Sequence, residues 1–231
     1  MRRIIALFAA VVSVIAFAAQ AADADRPQQL VNEARTTLDS LNKDSNISPN
    51  LKLALVKAKG VLIVPSFIKG GFILGGAGGS GVLLARLPDG NWSAPAFITM
   101  GEASIGLQIG GSVSEFVFVI NNDKALDAVI SKKVTFGADI ELAAGPFGAN
   151  VGAQTSMSAG KDMWAFARSQ GLFAGGALDG AYIEPRNDWN ALYYSQKLEA
   201  RQIIAAPVIA NNRDADELRA TLARMSTAGA M

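Results

Sequence analysis

The residues best equipped for chemistry in this chain are few, and their spacing limits what they can do. Gly76-Ala77-Gly78-Gly79-Ser80-Gly81 matches G-x-G-x-x-G, a pattern that cradles a pyrophosphate when a helix comes directly after it. Here the chain continues as Val82-Leu83-Leu84-Ala85-Arg86-Leu87 and then Pro88-Asp89-Gly90-Asn91, which reads as a strand entering a hairpin turn. The glycines are therefore expected to form a flexible or bulged connection between two strands. Gly160-Lys161 lacks the upstream glycine and the following Ser or Thr of a phosphate-binding loop. Asp139 and Glu141 stand two apart on an expected strand and so share a face. That suits a metal or acid–base pair, but a solvent-facing sheet surface produces the same pattern. Ser158 and Lys161 have S-x-x-K spacing without the Ser-Asp-Asn and Lys-Thr-Gly elements that accompany it. With no histidine and no cysteine, the chain has no Ser-His-Asp or Cys-His catalysis, no Cys/His zinc site and no disulfide. No catalytic residue, metal or cofactor is assigned, and the expectation is a protein that is not an enzyme.

Charge is the stronger signal. From Ser45 to Pro88 there are five basic residues (Lys52, Lys57, Lys59, Lys69 and Arg86) and no acidic one. Attraction to an anionic bilayer is worth ~1 kcal/mol per basic residue near its surface. Apolar groups beside those cations, such as Phe67, Ile68 and Phe72, would add insertion energy if exposed. The competing reading is a solvated basic face with its aromatics in the core. The net charge of +1 does not suit nucleic-acid binding.

These residues depend on a chain divided by its glycines. None of the 23 lies before Gly60, 22 lie between Gly60 and Gly180, and the last is Gly229. Glycine costs roughly 1 kcal/mol against alanine inside a helix, so the flanks are free to be helical. Leu30, Ala34, Leu38 and Leu41 make one face of a first helix opened by Pro27. Ser48-Pro49 starts a second, basic and amphipathic helix running to Lys59, which carries Lys52, Lys57 and Lys59. Between Gly60 and Gly180 short apolar runs alternate with turn residues. Expected strands include Val61–Val64, Gly71–Leu74, Val82–Leu87, Ala94–Met100, Ser104–Ser112, Glu115–Ile120, Asp139–Ala144, Ala149–Ser156, Met163–Ser169, Gly171–Leu178 and Ala181–Ile183. Asn122-Asp123 caps a helix over Lys124–Ser131, Trp189–Ala206 reads as one helix, and Arg213–Met225 as a last one with a frayed end. The fold class is α+β: a glycine-rich, strongly curved or barrel-like antiparallel sheet framed by N- and C-terminal helices.

Arg2 and Arg3, an apolar run over Ile4–Ala18 and the Ala19-Gln20-Ala21 pattern read as a secretory signal cleaved near Ala21/Ala22. The apolar run is shorter than the ~20 residues of a membrane-spanning helix. The expected organisation is a signal over 1–21, one domain over 22–206 and a helical tail over 207–231. An outer-membrane barrel fits less well, because Val61–Val64 and Phe116–Ile120 are apolar on both faces.

Several ordered segments resemble the SYLF lipid-binding domain. They are Ala58–Pro65, the Gly70–Gly81 stretch, Val82–Arg86, Asp89–Pro95, Gln108–Gly111, Gly171–Gly175 and Asn190–Tyr194, together spanning about residues 30–200. The resemblance is to a bacterial, secreted form without the SH3 or FYVE modules of eukaryotic relatives. It implies phosphoinositide-like lipid binding through an amphipathic helix at the domain's start. That helix corresponds here to Ser48–Lys59, with Lys52, Lys57, Lys59 and Lys69 as the matching cations. In a bacterial envelope the resemblance implies another anionic phospholipid, and the actin binding of some yeast members is not expected to transfer. The expectation is thus an exported, periplasmic or envelope-associated protein that contacts an anionic membrane through Lys52, Lys57, Lys59, Lys69 and Arg86, with Phe67 and Phe72 inserting. The alternative is an envelope scaffold that forms homo-oligomers through its sheet edges.

Overall fold

Pro27 sits in the first turn of helix α1 (Arg26–Lys43), where its missing N–H costs nothing, and α1 buries Leu30, Ala34, Leu38 and Leu41 as their spacing requires. Helix α2 (Ser48–Val56) begins at the expected Ser48-Pro49 but ends three residues before Lys59. These elements come from a computed structural model that describes residues 25–71, 74–105, 110–146, 160–169, 178–205 and 212–229.

Strands β1 (Gly60–Gly71), β2 (Leu74–Ala85), β3 (Ala96–Ile105) and β4 (Gly110–Ile120) are followed by helix α3 (Asp123–Ser131). Then come β5 (Val134–Thr135), β6 (Leu142–Ala144), β7 (Met163–Ser169), β8 (Tyr182–Pro185), and helices α4 (Asn187–Tyr194), α5 (Ala200–Ala205) and α6 (Arg213–Ala228). The eight strands form one sheet in the order β5-β8-β3-β2-β1-β4-β7-β6, antiparallel except for the β6–β7 pair. It is a strongly curled half-barrel with helices at both ends of the chain, as the composition implied.

The strands are apolar on both faces because both faces are covered. Val61, Ile63, Val82, Leu84, Val117 and Val119 pack with α1, α2 and α6. Leu62, Val64, Leu83, Phe116 and Phe118 pack on the other side with α3 and α5. Each such side chain fully removed from water contributes about 1.5–3 kcal/mol. The C-terminal helix belongs to this core: Leu218, Leu222 and Met225 are buried against the α1 side, and α6 runs on through Ser226 to Ala228. Its final residues, expected to fray, are helical and Ser226 is buried.

Several expectations change: Gly71–Leu74 and Ser104–Ser112, each expected as one strand, instead hold the end of one strand and the start of the next. The Gly76–Gly81 pattern is no connection between strands; it lies wholly within β2, paired on one side with β1 and on the other with β3. Gly79 and Gly81 sit where a Cβ would come within 2.5 Å of the Ser66 carbonyl oxygen and 2.9 Å of the Ile63 carbonyl oxygen. Trp189–Ala206 is two helices, broken at Ser195, whose φ of 52° turns the chain out of the helical path. Strand β1 carries one extra residue around Pro65, seen as a register shift against both β2 and β4. Proline cannot donate to a ladder, and a bulge accommodates it inside a central strand. The helix over Asp123–Ser131 has its cap as expected, with the Asn122 side chain accepting from the Ala125 N–H. The segments Ala149–Ser156 and all but the last residue of Gly171–Leu178 lie outside the described residues.

Candidate functional site

The bulge at Pro65 decides where two of the expected lipid contacts point. Before it, Leu62 and Val64 face the α3/α5 side; after it the parity is exchanged and Phe67 joins them. Phe67 is 2% exposed and stands edge-on to Phe116, with ring centroids 5.9 Å apart. It is a core residue, not a membrane-inserting one. Ile68 takes the opposite face and is exposed, beside exposed Val113 on β4. Phe72 lies outside the described residues.

Lys69 follows Phe67 onto the same side. Its ammonium reaches across Ala77 of β2 to Glu102 of β3, with Nζ 2.7 Å from Oε1. The Glu102 side chain is only 8% exposed, so this cation is committed to an internal partner. It is also remote from the other lysines. Lys59 and Lys69 are ten residues apart along an extended segment, about 30 Å at ~3.3 Å per residue. The expected cations therefore do not form one site.

Arg86 is an internal anchor. Its guanidinium donates to the carbonyls of Leu55 (2.7 Å), Ala58 (3.1 Å) and Gly90 (3.0 Å) and to the hydroxyl of Ser226 (3.0 Å). It also lies 4.4 Å from the centroid of the Trp92 ring. Burial pulls its pKa below the usual value. Helix α2 ends in carbonyls that lack intrahelical partners, and Arg86 satisfies two near that end while tying down α6. Four of its five N–H donors are engaged within the fold, so Arg86 has a structural role in place of the expected phosphate contact.

Lys57 and Lys59 flank the α2-to-β1 junction, and Lys52 lies earlier on α2. Lys57 is the exposed C-cap residue of α2, and Lys52 is half-buried where the end of α6 presses on its own backbone. Lys59 is exposed and pairs with Asp123 at the start of α3, 3.1 Å apart. Such a surface pair is worth roughly 0–1 kcal/mol and yields readily to another anion. The backbone of this junction is firm: Lys59 N–H donates to Ile120 O, and Arg86 N–H donates to Lys59 O, each at 2.8 Å.

Asp139 and Glu141 are each engaged locally, and Ser158 lies outside the described residues. Asp139 accepts from the Thr135 backbone N–H, while Glu141 pairs with Lys161 at 2.8 Å and raises that ammonium's pKa. Among the described residues no group of three or more Asp and Glu is placed to hold a metal ion, and no helix is long and apolar enough to cross a membrane. Two polar features had no sequence signal: the buried carboxylate of Glu102 facing Lys69, and an open cavity between the Leu87–Trp92 turn and α6. Asn190, fully buried, accepts from Phe97 N–H at 2.9 Å, and Tyr194 donates to Pro95 O at 2.7 Å, which explains the polar letters in the apolar 190–194 segment.

Fold and site together define a helix-flanked half-barrel whose polar groups serve internal bonding and surface charge. Residues 101–225 match the family described as Ysc84, Las17-binding protein actin regulator. The chain is 35% identical over 192 residues to rat SH3 domain-containing YSC84-like protein 1, covering 79% of this chain and 56% of that protein. It is 36% identical over 168 residues to LAS seventeen-binding protein 3 of Saccharomyces cerevisiae, covering 71% and 36% respectively. A third relative, Protein YSC84 of the same yeast, is 36% identical over 157 residues. The chain belongs to the Ysc84, or SYLF-domain, family. It spans about half the length of its mammalian relatives and about a third of the yeast ones, and these proteins are named for binding and regulation.

Proposed function

We propose that this protein is a non-catalytic, exported membrane-surface binder of a bacterial envelope that holds anionic phospholipid head groups with Lys52, Lys57 and Lys59. The observation that carries this reading is the α2-to-β1 junction. Lys57 and Lys59 stand there on a backbone tied down by Arg86, Lys52 lies about one turn back in α2, and among the described residues the ion pair these lysines make is that of Lys59 with exposed Asp123. Cations that are solvated on a fixed frame gain from an anionic surface without losing an internal partner. Lys69, held by Glu102, contributes nothing to this contact.

Oligomerisation through sheet edges has less support. Among the described residues the edge strands β5 and β6 are two and three residues long, too short to template a stable strand addition. Co-sedimentation with vesicles tests the proposal: binding to anionic vesicles that exceeds binding to neutral ones and falls with added salt supports it. Equal binding to both refutes it.

A further inference from the structure

Beyond the part of the sheet that α1, α2 and α6 cover, one row of residues crosses five strands. Backbone pairing sets Tyr182 of β8, Gly101 of β3, Gly78 of β2, Ile68 of β1 and Val113 of β4 side by side in that order. Directly opposed residues on neighbouring strands share a face, so the row is one surface. Ile68 and Val113 are 59% and 48% exposed, and they oppose each other on two central strands. A single apolar side chain in water is ordinary, but an adjoining pair on the face of a central sheet marks a contact surface.

A furrow runs beside this ridge. Gly78 and Gly76 follow one another along β2 on the same face, and both are exposed. A Cβ built on either would meet only a backbone oxygen, at 3.8 Å and 3.7 Å respectively, so the space above them is open. The packing of β1 against β2 requires glycine at 79 and 81 but not at 76 and 78, and glycine inside a strand otherwise weakens it. The same row shows what seats on such a floor. The Tyr182 ring lies so close over Gly101 that a Cβ there would come within 2.7 Å of it. No member of the row is charged, and the ammonium of Lys133 borders it, 3.5 Å from the centroid of the Tyr182 ring.

We propose that this face binds a second copy of the chain, in a two-fold dimer in which Ile68 of each protomer seats over Gly78 of the other. Ridge and furrow adjoin on one surface, so a two-fold rotation lays each ridge in the opposite furrow and the contacts are reciprocal. Ile68 then repeats on Gly78 the packing that Tyr182 makes on Gly101. With no charge in the row, apposing two copies brings no like charges face to face along it. The contact uses side chains on the sheet face, so the short edge strands take no part. Lys57 and Lys59 precede the opposite end of β1, and the dimer does not depend on lipid binding.

The test is sedimentation velocity of the mature chain, residues 22–231, from micromolar to submillimolar concentration without lipid. The wild type is expected to pass from monomer to dimer as concentration rises. Ile68→Glu puts a charge against the opposite furrow and is expected to weaken the dimer at least about tenfold. Gly78→Ala fills part of the furrow without intramolecular strain and is expected to weaken it by about as much. Leu192→Glu, at an exposed apolar position on α4, is expected to leave it unchanged. Circular dichroism establishes that each variant is folded. A wild type that stays monomeric throughout overturns the proposal, and so do folded Ile68→Glu and Gly78→Ala that dimerise as tightly as the wild type. A monomeric wild type whose vesicle binding is abolished by Ile68→Glu gives the face to a bilayer and overturns it as well.

Discussion

The Arg86 guanidinium lies 4.4 Å from the centroid of the Trp92 ring while donating to the Leu55 and Ala58 carbonyls and to Ser226. One side chain thereby joins the end of α2, the β2–β3 turn and the C-terminal helix. The junction that carries Lys57 and Lys59 is held from below by this residue, which explains why a cation in the basic stretch is unavailable to a ligand.

Arg86→Lys keeps the charge and loses the forked geometry. It is expected to destabilise the protein by ~2–3 kcal/mol, because a point ammonium cannot serve several separated acceptors. Urea denaturation measures this. Under native conditions the same variant is expected to bind vesicles as the wild type does, since Arg86 makes no contact with lipid in this account.

The glycines of β2 divide by their neighbours. Gly79→Ala and Gly81→Ala drive a methyl into β1 backbone and side chains, and each is expected to cost ~1–3 kcal/mol. Gly76→Ala and Gly78→Ala meet nothing closer than 3.7 Å and 3.8 Å. They are expected to be neutral or stabilising by up to ~1 kcal/mol through the unfolded chain. Thermal melts of the four variants decide whether the pattern serves strand packing.

Lys69→Met leaves Glu102 as a buried carboxylate without its partner. The expected loss is ~2–4 kcal/mol, and Lys69→Met/Glu102→Met recovers most of it. Equal stability of the single and double variants contradicts the internal pair.

Burial raises the pKa of both Tyr193 and Tyr194 above the ordinary value of 10.0, and the charges of Asp214 and Asp216 raise that of Tyr193 further. Their stabilising effect is complete below pH ~10. Above it the unfolded chain releases these protons and the native state does not, so stability falls with pH by up to ~1.4 kcal/mol per unit for each tyrosine. Denaturation midpoints at pH 9 to 11 measure the slope, and Tyr193→Phe/Tyr194→Phe is expected to flatten it.

Much of this fold was legible because local rules and tertiary packing agree. Asn122 caps α3, Met163–Ser169 is a strand with the expected bounds, and runs apolar on both faces correspond to a sheet covered on both sides. The site was less legible for a geometric reason. Side-chain direction in a strand has a period of two, so the single extra residue near Pro65 reverses everything after it, sending Phe67 inward and Lys69 to Glu102. Pro65 in a central strand was the available signal, since proline there implies a bulge. Nothing local marks the Arg86–Ser226 bond or the Lys69–Glu102 pair, whose partners are 140 and 33 residues apart. Charge counting finds cations but not their partners.

The central claim is that the lysines at the α2-to-β1 junction, and not Lys69, engage an anionic surface. Flotation with vesicles containing anionic phospholipid, comparing wild type, Lys52→Gln/Lys57→Gln/Lys59→Gln and Lys69→Gln under native conditions, tests it directly. The triple variant is expected to lose most of its binding, at ~1 kcal/mol per lysine or roughly a hundredfold in all, while folded Lys69→Gln binds like the wild type. Undiminished binding by the folded triple variant contradicts the account.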